Sequence, residues 1–159
     1  TARRNGSDAA VMTSAGALIN GLHALGARKI ALMAPYVCAL TDLVVGYIES
    51  EGIEVVDALS FEIPDNLEVG RRDPMRLLDD VARLDCRNAD VVVLSACVQM
   101  QSLPAIAEAE RRLGLPVTST SVCTVWDMLT RLHLPTQVPD AGRLLSGQVA
   151  APAGTREAA

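Results

Sequence analysis

Aromatic side chains are scarce in this chain: Phe, Tyr and Trp together make up 3% of the 159 residues, although 50% of the sequence is hydrophobic. The interior must therefore be built from aliphatic side chains. Such a composition is typical of parallel α/β folds, whose central strands are buried on both faces. The length suits one domain with a sizeable core and is short for two.

The sequence also lacks the short motifs that bind nucleotides or structural zinc. Neither GxGxxG nor GxxxxGK(S/T) occurs, so the nucleotide-binding function that is common in α/β folds has no support. The four cysteines form no CxxC pair and only two histidines are present. A structural zinc site is therefore not expected.

Long apolar runs, a signal peptide and dense basic clusters are absent as well. The most hydrophobic stretch, residues 91–98, is interrupted by Ser95 and is far shorter than the roughly 20 residues that span a bilayer. The net charge of −5 disfavours a nucleic-acid partner. We therefore predict a soluble cytoplasmic protein with no membrane or nucleic-acid partner, and we expect no disulfides in that reducing compartment.

The two ends of the chain differ from the rest. The sequence opens with Thr1-Ala2-Arg3-Arg4, without a methionine, and we expect an amino-terminal segment to be missing. Residues 1–134 are predicted to form an α/β domain. Residues 135–159 are predicted to form an extension that ends in a loose, alanine-rich tail.

Hydrophobic periodicity predicts helices that alternate with strands. The helices are expected at about residues 8–25, 41–51, 74–84, 103–113 and 122–132. The strands are expected at residues 30–34, 53–59 and 91–94, with a short one centred on Val117. Alternation with short links requires right-handed crossovers, which gives a parallel four-stranded sheet flanked by helices.

Several of these boundaries depend on particular residues. Thr41, Asp73 and Ser102 are predicted to cap the second, third and fourth helices. Thr13-Ser14 could cap the first helix or line a pocket, and we favour the cap. Glycines are expected to end three of the helices, at Gly26, Gly52 and Gly114. The side chains predicted to face inward from the first two helices are Val11, Leu18, Ile19, Leu22, Leu25, Leu43, Val44 and Ile48.

Ligands of parallel sheets bind outside the carboxyl ends of the strands. The residues that follow the predicted strands are Tyr36, the polar loop 62–73 with Asn66, Cys97, and residues 118–121. Cys97 lies just upstream of a helix, where peptide N–H groups and the helix dipole favour a reactive thiolate. A buried core cysteine is the alternative, and the residues alone leave both open.

The remaining candidates are weaker. Cys38 lies on the same rim as Tyr36 and is a second candidate thiol, whereas Cys86 and Cys123 are predicted to be structural. The Tyr36 hydroxyl or the Asn66 amide could bind a carboxylate, but a rim tyrosine and a turn asparagine remain alternatives. We expect no Cys–His pair, since His23 and His133 lie off the rim, and we expect Trp126 in the core.

Several segments resemble the aspartate/glutamate racemase superfamily. They are Ile30-Ala31-Leu32-Met33-Ala34-Pro35-Tyr36, Val92-Val93-Leu94-Ser95-Ala96-Cys97, Gly114-Leu115-Pro116-Val117, and Ser119-Thr120-Ser121 ahead of a helix with Trp126. Within that superfamily the sequence is most similar to maleate cis–trans isomerases and next to arylmalonate decarboxylases. The resemblance covers residues 9–134, and its motifs are distinctive together.

The resemblance implies an enzyme with two similar α/β halves that face each other across the site, each supplying one cysteine. Cys97 matches the second-half cysteine, and the first-half cysteine is expected upstream of Thr1. The implied reaction is maleate to fumarate through a cysteine adduct, with Cys97 moving a proton. The substrate ligands implied are Tyr36, Asn66 and the backbone N–H of Val98.

The same resemblance implies no metal, flavin or nicotinamide, a small dicarboxylate substrate, a homodimer, and a role in the degradation of nicotinate-type compounds. Other functions stay open at this point. One is another reaction of the superfamily: amino-acid or hydantoin racemisation, or arylmalonate decarboxylation, which needs only one cysteine. A non-catalytic small-molecule-binding domain is another.

Overall fold

The computed structural model describes residues 3–6 and 11–150. The α-helices are α1 (Ser14–Ala24), α2 (Cys38–Ser50), α3 (Asn66–Arg71), α4 (Leu77–Asp80), α5 (Leu103–Leu113) and α6 (Thr120–Arg131). The strands are β1 (Lys29–Ala34), β2 (Glu54–Ser60), β3 (Val91–Val93) and β4 (Val117–Thr118). Within the described ranges, no helix is both long enough and apolar enough to cross a membrane.

The four strands form one parallel sheet in the order β2-β1-β3-β4. The predicted fold class is confirmed. Residues 30–34 of β1 and all of β3 are completely buried, which explains their continuous aliphatic sequence. Because all four strands run in the same direction, their carboxyl ends meet at one edge of the sheet.

The first helix is shorter than predicted. It begins at Ser14, where the Thr13 side chain accepts a hydrogen bond from the Gly16 N–H, so the predicted cap is confirmed. The prediction that Val11 faces inward is wrong, because Val11 precedes the helix and is 44% exposed. Asp8, the predicted start, lies outside the described residues.

The second helix starts three residues before the predicted cap, at Cys38. Thr41 is buried inside it, donates to the Val37 carbonyl and accepts a 2.7 Å bond from the Ser60 hydroxyl. A threonine that bonds to the carbonyl four residues back is compatible with a helix interior, which explains the error. Leu43, predicted to be inward, is 71% exposed.

The predicted loop at residues 62–73 contains α3, which is capped by Asp65. The helix predicted at residues 74–84 is broken into a 3-10 turn, the single turn α4 and a second 3-10 turn. Asp73 does cap this segment, by accepting from the Met75 N–H, and Pro74 occupies its first turn. Ser102 holds the N-cap position of α5, but its side chain makes no capping hydrogen bond.

Residues beyond 134 add to the core through Ala141, Leu144 and Leu145, all of which are buried. Helix α6 begins two residues earlier than predicted because Ser119 caps it by accepting from the Val122 N–H. Residues 151–159, the end of the predicted tail, lie outside the described residues.

Candidate active site

Cys97 lies at the carboxyl edge of the sheet, directly after β3. The backbone between them stays bonded to the neighbouring strands: Leu94 N–H donates to Thr118 at 2.9 Å, and Ala96 N–H donates to Met33 at 2.9 Å. Cys97 itself is 9% exposed. The Cys97 thiol therefore lies at the carboxyl edge of the sheet, on backbone that is hydrogen-bonded to both neighbouring strands, and is largely shielded from solvent.

Ser95 fixes the turn that carries Cys97. The Ser95 hydroxyl donates to the Cys97 carbonyl at 2.6 Å and accepts from the Cys97 N–H at 3.2 Å. The Ser95 carbonyl accepts a 2.9 Å bond from the N–H of Thr120, the first residue of α6. This completely buried serine thus ties the cysteine turn to α6. The sequence shows it only as an interruption of an apolar run.

Tyr36 stands beside the cysteine turn. Its ring is partly buried, and its hydroxyl donates to the Ala96 carbonyl at 3.4 Å. Burial, followed by the proximity of the Cys97 thiol, raises the pKa of the Tyr36 phenol above its usual value. Tyr36 is therefore held in its protonated form, in which it can donate a hydrogen bond.

A cavity of about 270 Å³ opens next to these residues. Its lining includes Tyr36 and Thr120, together with Ala96 and Val98, the two neighbours of Cys97 in the chain. Helices α1 and α2 supply the other walls, through Ser14, Ala15, Leu18, Leu43, Val44, Tyr47 and Ile48. The cavity is mostly apolar, with a few hydroxyl groups, which is typical of sites for small organic ligands.

A second depression, of about 570 Å³, lies at the opposite edge of the sheet. It is lined by residues that precede β3 and β4, among them Cys86 and Leu115. Although it is larger, ligands of parallel sheets bind at the carboxyl ends of the strands. We therefore assign the candidate site to the smaller cavity beside Cys97.

Asn66 lies close to the cysteine turn but does not line this cavity. It is the first residue of α3, and its backbone carbonyl accepts a 2.7 Å bond from the Gln99 side chain. Gln99 therefore joins the segment after Cys97 to the start of α3. Of the predicted site residues, Tyr36 and Val98 line the cavity, whereas Cys97 lies between the lining residues Ala96 and Val98 without being part of the lining. Asn66 is joined to this region through Gln99.

The other thiols have different environments. Cys38 is exposed at the start of α2, and its thiol donates to Glu62 at 3.5 Å. Cys123 is fully buried beside the Thr118 hydroxyl at 3.2 Å, and burial raises its pKa to about 12. Burial also raises the pKa of Cys86, which is partly buried near the opposite edge. Neither Cys86 nor Cys123 lines the cavity beside Cys97.

Both histidines are exposed, His23 on α1 and His133 after α6. Trp126 is completely buried, as predicted. In the ranges 3–6 and 11–150, no three His, Cys, Asp or Glu side chains are grouped so that they could hold a metal ion.

Comparison with protein families matches this chain to arylmalonate decarboxylase over residues 2–145. The protein therefore belongs to the arylmalonate decarboxylase family. Among curated relatives, maleate isomerase of Geobacillus stearothermophilus is 60% identical over 145 residues, which are 91% of this chain and 58% of the relative. Arylmalonate decarboxylase of Bordetella bronchiseptica is 33% identical over 117 residues, 72% of this chain and 48% of the relative.

Solved structures agree with these matches. One is a cysteine-to-alanine variant of maleate isomerase from Pseudomonas putida S16, solved with maleate. It superposes on this chain with a TM-score of 0.88 at 49% sequence identity, and the match covers 92% of this chain and 58% of the P. putida chain. Another is a cysteine-to-serine variant of maleate cis–trans isomerase from Nocardia farcinica, which carries a covalently bound succinylcysteine intermediate. Its TM-score is 0.87 at 42% sequence identity, and the match covers 91% of this chain and 59% of the N. farcinica chain. The predicted resemblance is confirmed, and the chain spans about 58% of the curated maleate isomerase from G. stearothermophilus.

Proposed function

We propose that this protein isomerises maleate to fumarate and that Cys97 moves the proton. The observation that carries the proposal is the position of Cys97, between two cavity-lining residues and beside Tyr36, in a chain 60% identical to a maleate isomerase. A further three maleate isomerases are 44–54% identical.

The reaction balances without a redox partner. A thiolate adds to one alkene carbon, and the π electron pair moves to the neighbouring carbon, where the adjacent carboxylate spreads the charge. The Cys97 S–H protonates that carbon, which gives a succinyl thioether. After rotation about the new single bond, the Cys97 thiolate removes a proton from the same carbon, and the C–S bond breaks to release fumarate and the first thiolate.

The attacking thiolate is assigned to a second cysteine, outside the 159 residues, by resemblance to the two-cysteine enzymes. The succinylcysteine of the N. farcinica structure supports such an adduct, because it formed in a variant from which another cysteine had been removed. Cys38 is the competing candidate within this chain, since it lies near the same edge of the sheet.

Neutral donors can stabilise the charge on the adduct. The Tyr36 O–H is kept protonated by burial and can turn to the substrate from its long 3.4 Å bond to the Ala96 carbonyl, and the backbone N–H of Val98 donates to no other group within the described ranges. Donors aimed at developing enolate charge in a water-poor site are strongly stabilising. We assign these two groups to the substrate carboxylates, and we add the Asn66 amide by the resemblance alone, because Asn66 does not line the cavity.

We also propose the biological setting that the resemblance implies. Residues 1–134 act as the catalytic domain of a cytoplasmic homodimer that degrades nicotinate-type compounds without a metal, flavin or nicotinamide.

Proton NMR of maleate incubated with the complete gene product tests the reaction. We expect the maleate signal to be replaced by that of fumarate. Parallel incubations with phenylmalonate, aspartate and a hydantoin, followed by CO₂ release or deuterium uptake from D₂O, test the other reactions of the superfamily. Turnover of one of these compounds by a folded protein that leaves maleate unchanged would replace the isomerase proposal.

A further inference from the structure

The hydroxyl of Thr120 is the most unusual polar group near the cavity. Thr120 is 4% exposed and lines the cavity with Ala96 and Val98, the neighbours of Cys97. Its Oγ1 atom is buried and has no hydrogen-bond partner among the residues that the structure describes. Buried polar groups are nearly always paired in native proteins, and each exception calls for an explanation.

The surrounding groups are already paired with one another. The Thr120 N–H donates to Ser95, and the Thr120 carbonyl accepts a 2.7 Å bond from the Thr124 hydroxyl. The Ser119 hydroxyl caps α6 by accepting from Val122. Within the described part of the chain, the local fold thus satisfies these neighbouring groups and leaves the Thr120 hydroxyl without a partner.

The charge around this hydroxyl favours an anion. Thr120 is the first residue of the 12-residue helix α6, whose first turn contains no acidic residue. The amino end of such a helix carries a partial positive charge. No Asp or Glu is among the residues that line the cavity. A carboxylate in the cavity would meet the positive end of the helix dipole. The Thr120 hydroxyl, whose oxygen has almost no accessible surface as placed, would reach that carboxylate by rotating about χ1.

We propose that the Thr120 hydroxyl is a substrate-binding group that donates a hydrogen bond to one carboxylate of the dicarboxylate substrate. This assignment rests on the proposed function and adds a fourth ligand to Tyr36, Asn66 and Val98. The Ser95 carbonyl holds the Thr120 N–H, and the Ser95 hydroxyl holds the Cys97 turn. Ser95 therefore fixes the hydroxyl relative to the reactive thiol.

The test compares Thr120→Val with Thr120→Ser in the complete gene product. Succinate, which resembles maleate but has no double bond, serves as the probe in isothermal titration calorimetry. Because hydrogen bonds to charged groups are strong, Thr120→Val should raise the Kd of succinate by about tenfold or more. Thr120→Val should also raise the KM for maleate. Thr120→Ser keeps the hydroxyl, so its Kd for succinate and its KM for maleate should stay within about threefold of the parent values.

Thermal unfolding separates this role from a structural one. Valine is isosteric with threonine and removes the unpaired buried hydroxyl, so the Tm of Thr120→Val should equal or exceed that of the parent. Thr124→Val is the matched control: it removes a hydroxyl one turn along α6 that bonds only within the helix, and it should bind succinate as the parent does.

Unchanged succinate binding in Thr120→Val, whatever its Tm, would overturn the assignment, and so would weaker binding accompanied by a clear fall in its Tm. Fumarate formation by the parent tests the proposed function separately. A parent that binds succinate through Thr120 but forms no fumarate would support the carboxylate site and reject the isomerase. A folded parent that neither binds succinate nor forms fumarate would reject both.

Discussion

Gly21 on α1 lies directly against Cys123 on α6. A Cβ atom at position 21 would lie 2.5 Å from the Cys123 Sγ and 3.0 Å from its Cβ. Real carbon atoms do not approach so closely, so the glycine is required by the packing of the two helices. The contact also fixes α6, whose first residue lines the cavity beside Cys97.

Gly21→Ala should therefore destabilise the protein by about 1–3 kcal/mol, the usual range for overpacking a filled core. Urea unfolding of the purified variant measures this change. Gly46→Ala is the matched control, because Gly46 lies inside α2 and a Cβ atom added there would have no described atom within 4 Å. Since alanine is the better helix former, this control should gain up to about 1 kcal/mol. Equal effects of the two changes would contradict the packing argument.

Cys123 should make the stability of the protein fall at alkaline pH. Burial raises its pKa from 9.0 to about 12 in the folded state, so the folded protein keeps a proton that the unfolded chain releases. The contribution of the protonated thiol is complete below pH 9 and is lost as the pH rises towards 12. At pH 10 the loss amounts to about 1 kcal/mol.

Urea unfolding at pH 7.5 and pH 10 measures this effect. Cys123→Ala should lose less free energy of unfolding over that interval than the parent does, whatever its stability at pH 7.5. The exposed Cys38→Ala is the control and should follow the parent. A parent and a Cys123→Ala variant with the same pH dependence would show that Cys123 ionises equally in both states.

The sheet could be predicted because its strands are unambiguous. The apolar run of residues 30–34 and the valines of β3 are buried on both faces, and this pattern needs no tertiary information. Helix boundaries were less certain where a side chain has two possible partners. Threonine is a common N-cap residue, but Thr41 donates to the Val37 carbonyl four residues earlier and accepts from the Ser60 hydroxyl. The contact with Ser60 depends on the folded sheet.

The candidate site was predictable only in part, for a similar reason. Tyr36 and Cys97 follow predicted strands, so their place on the rim follows from topology. The contacts of Ser95 and Gln99 join segments that are distant in sequence, and the pairing of Gln99 with Asn66 spans 33 residues. No local pattern marks such a bond. The unpaired hydroxyl of Thr120 likewise becomes visible only when its neighbours are seen to be paired.

Gln99 should act as a positioning residue for the start of α3. Its side chain holds the Asn66 carbonyl at 2.7 Å, and the Asn66 amide is a proposed substrate ligand. Gln99→Ala should raise the KM for maleate by about threefold to tenfold, in line with the loss of one neutral hydrogen bond, and leave kcat within about twofold. Steady-state kinetics check this split.

Gln101→Ala is a suitable control for that experiment, because Gln101 is an exposed glutamine two residues further along the same segment. It should leave both constants unchanged. If Gln99→Ala matched this control, the bond between Gln99 and Asn66 would have no part in substrate binding.

The rate of fumarate formation in variants with one cysteine replaced tests most directly whether the Cys97 thiol moves the proton. Proton NMR would follow maleate with the parent, Cys97→Ser and Cys38→Ser. A serine hydroxyl is far less acidic than a thiol, and general acid–base catalysis contributes about 10²–10⁴-fold. We predict that Cys97→Ser stays folded and loses activity by about that factor. Cys38→Ser replaces a cysteine near the same edge of the sheet and should keep the parent rate. Full activity in Cys97→Ser would contradict the account.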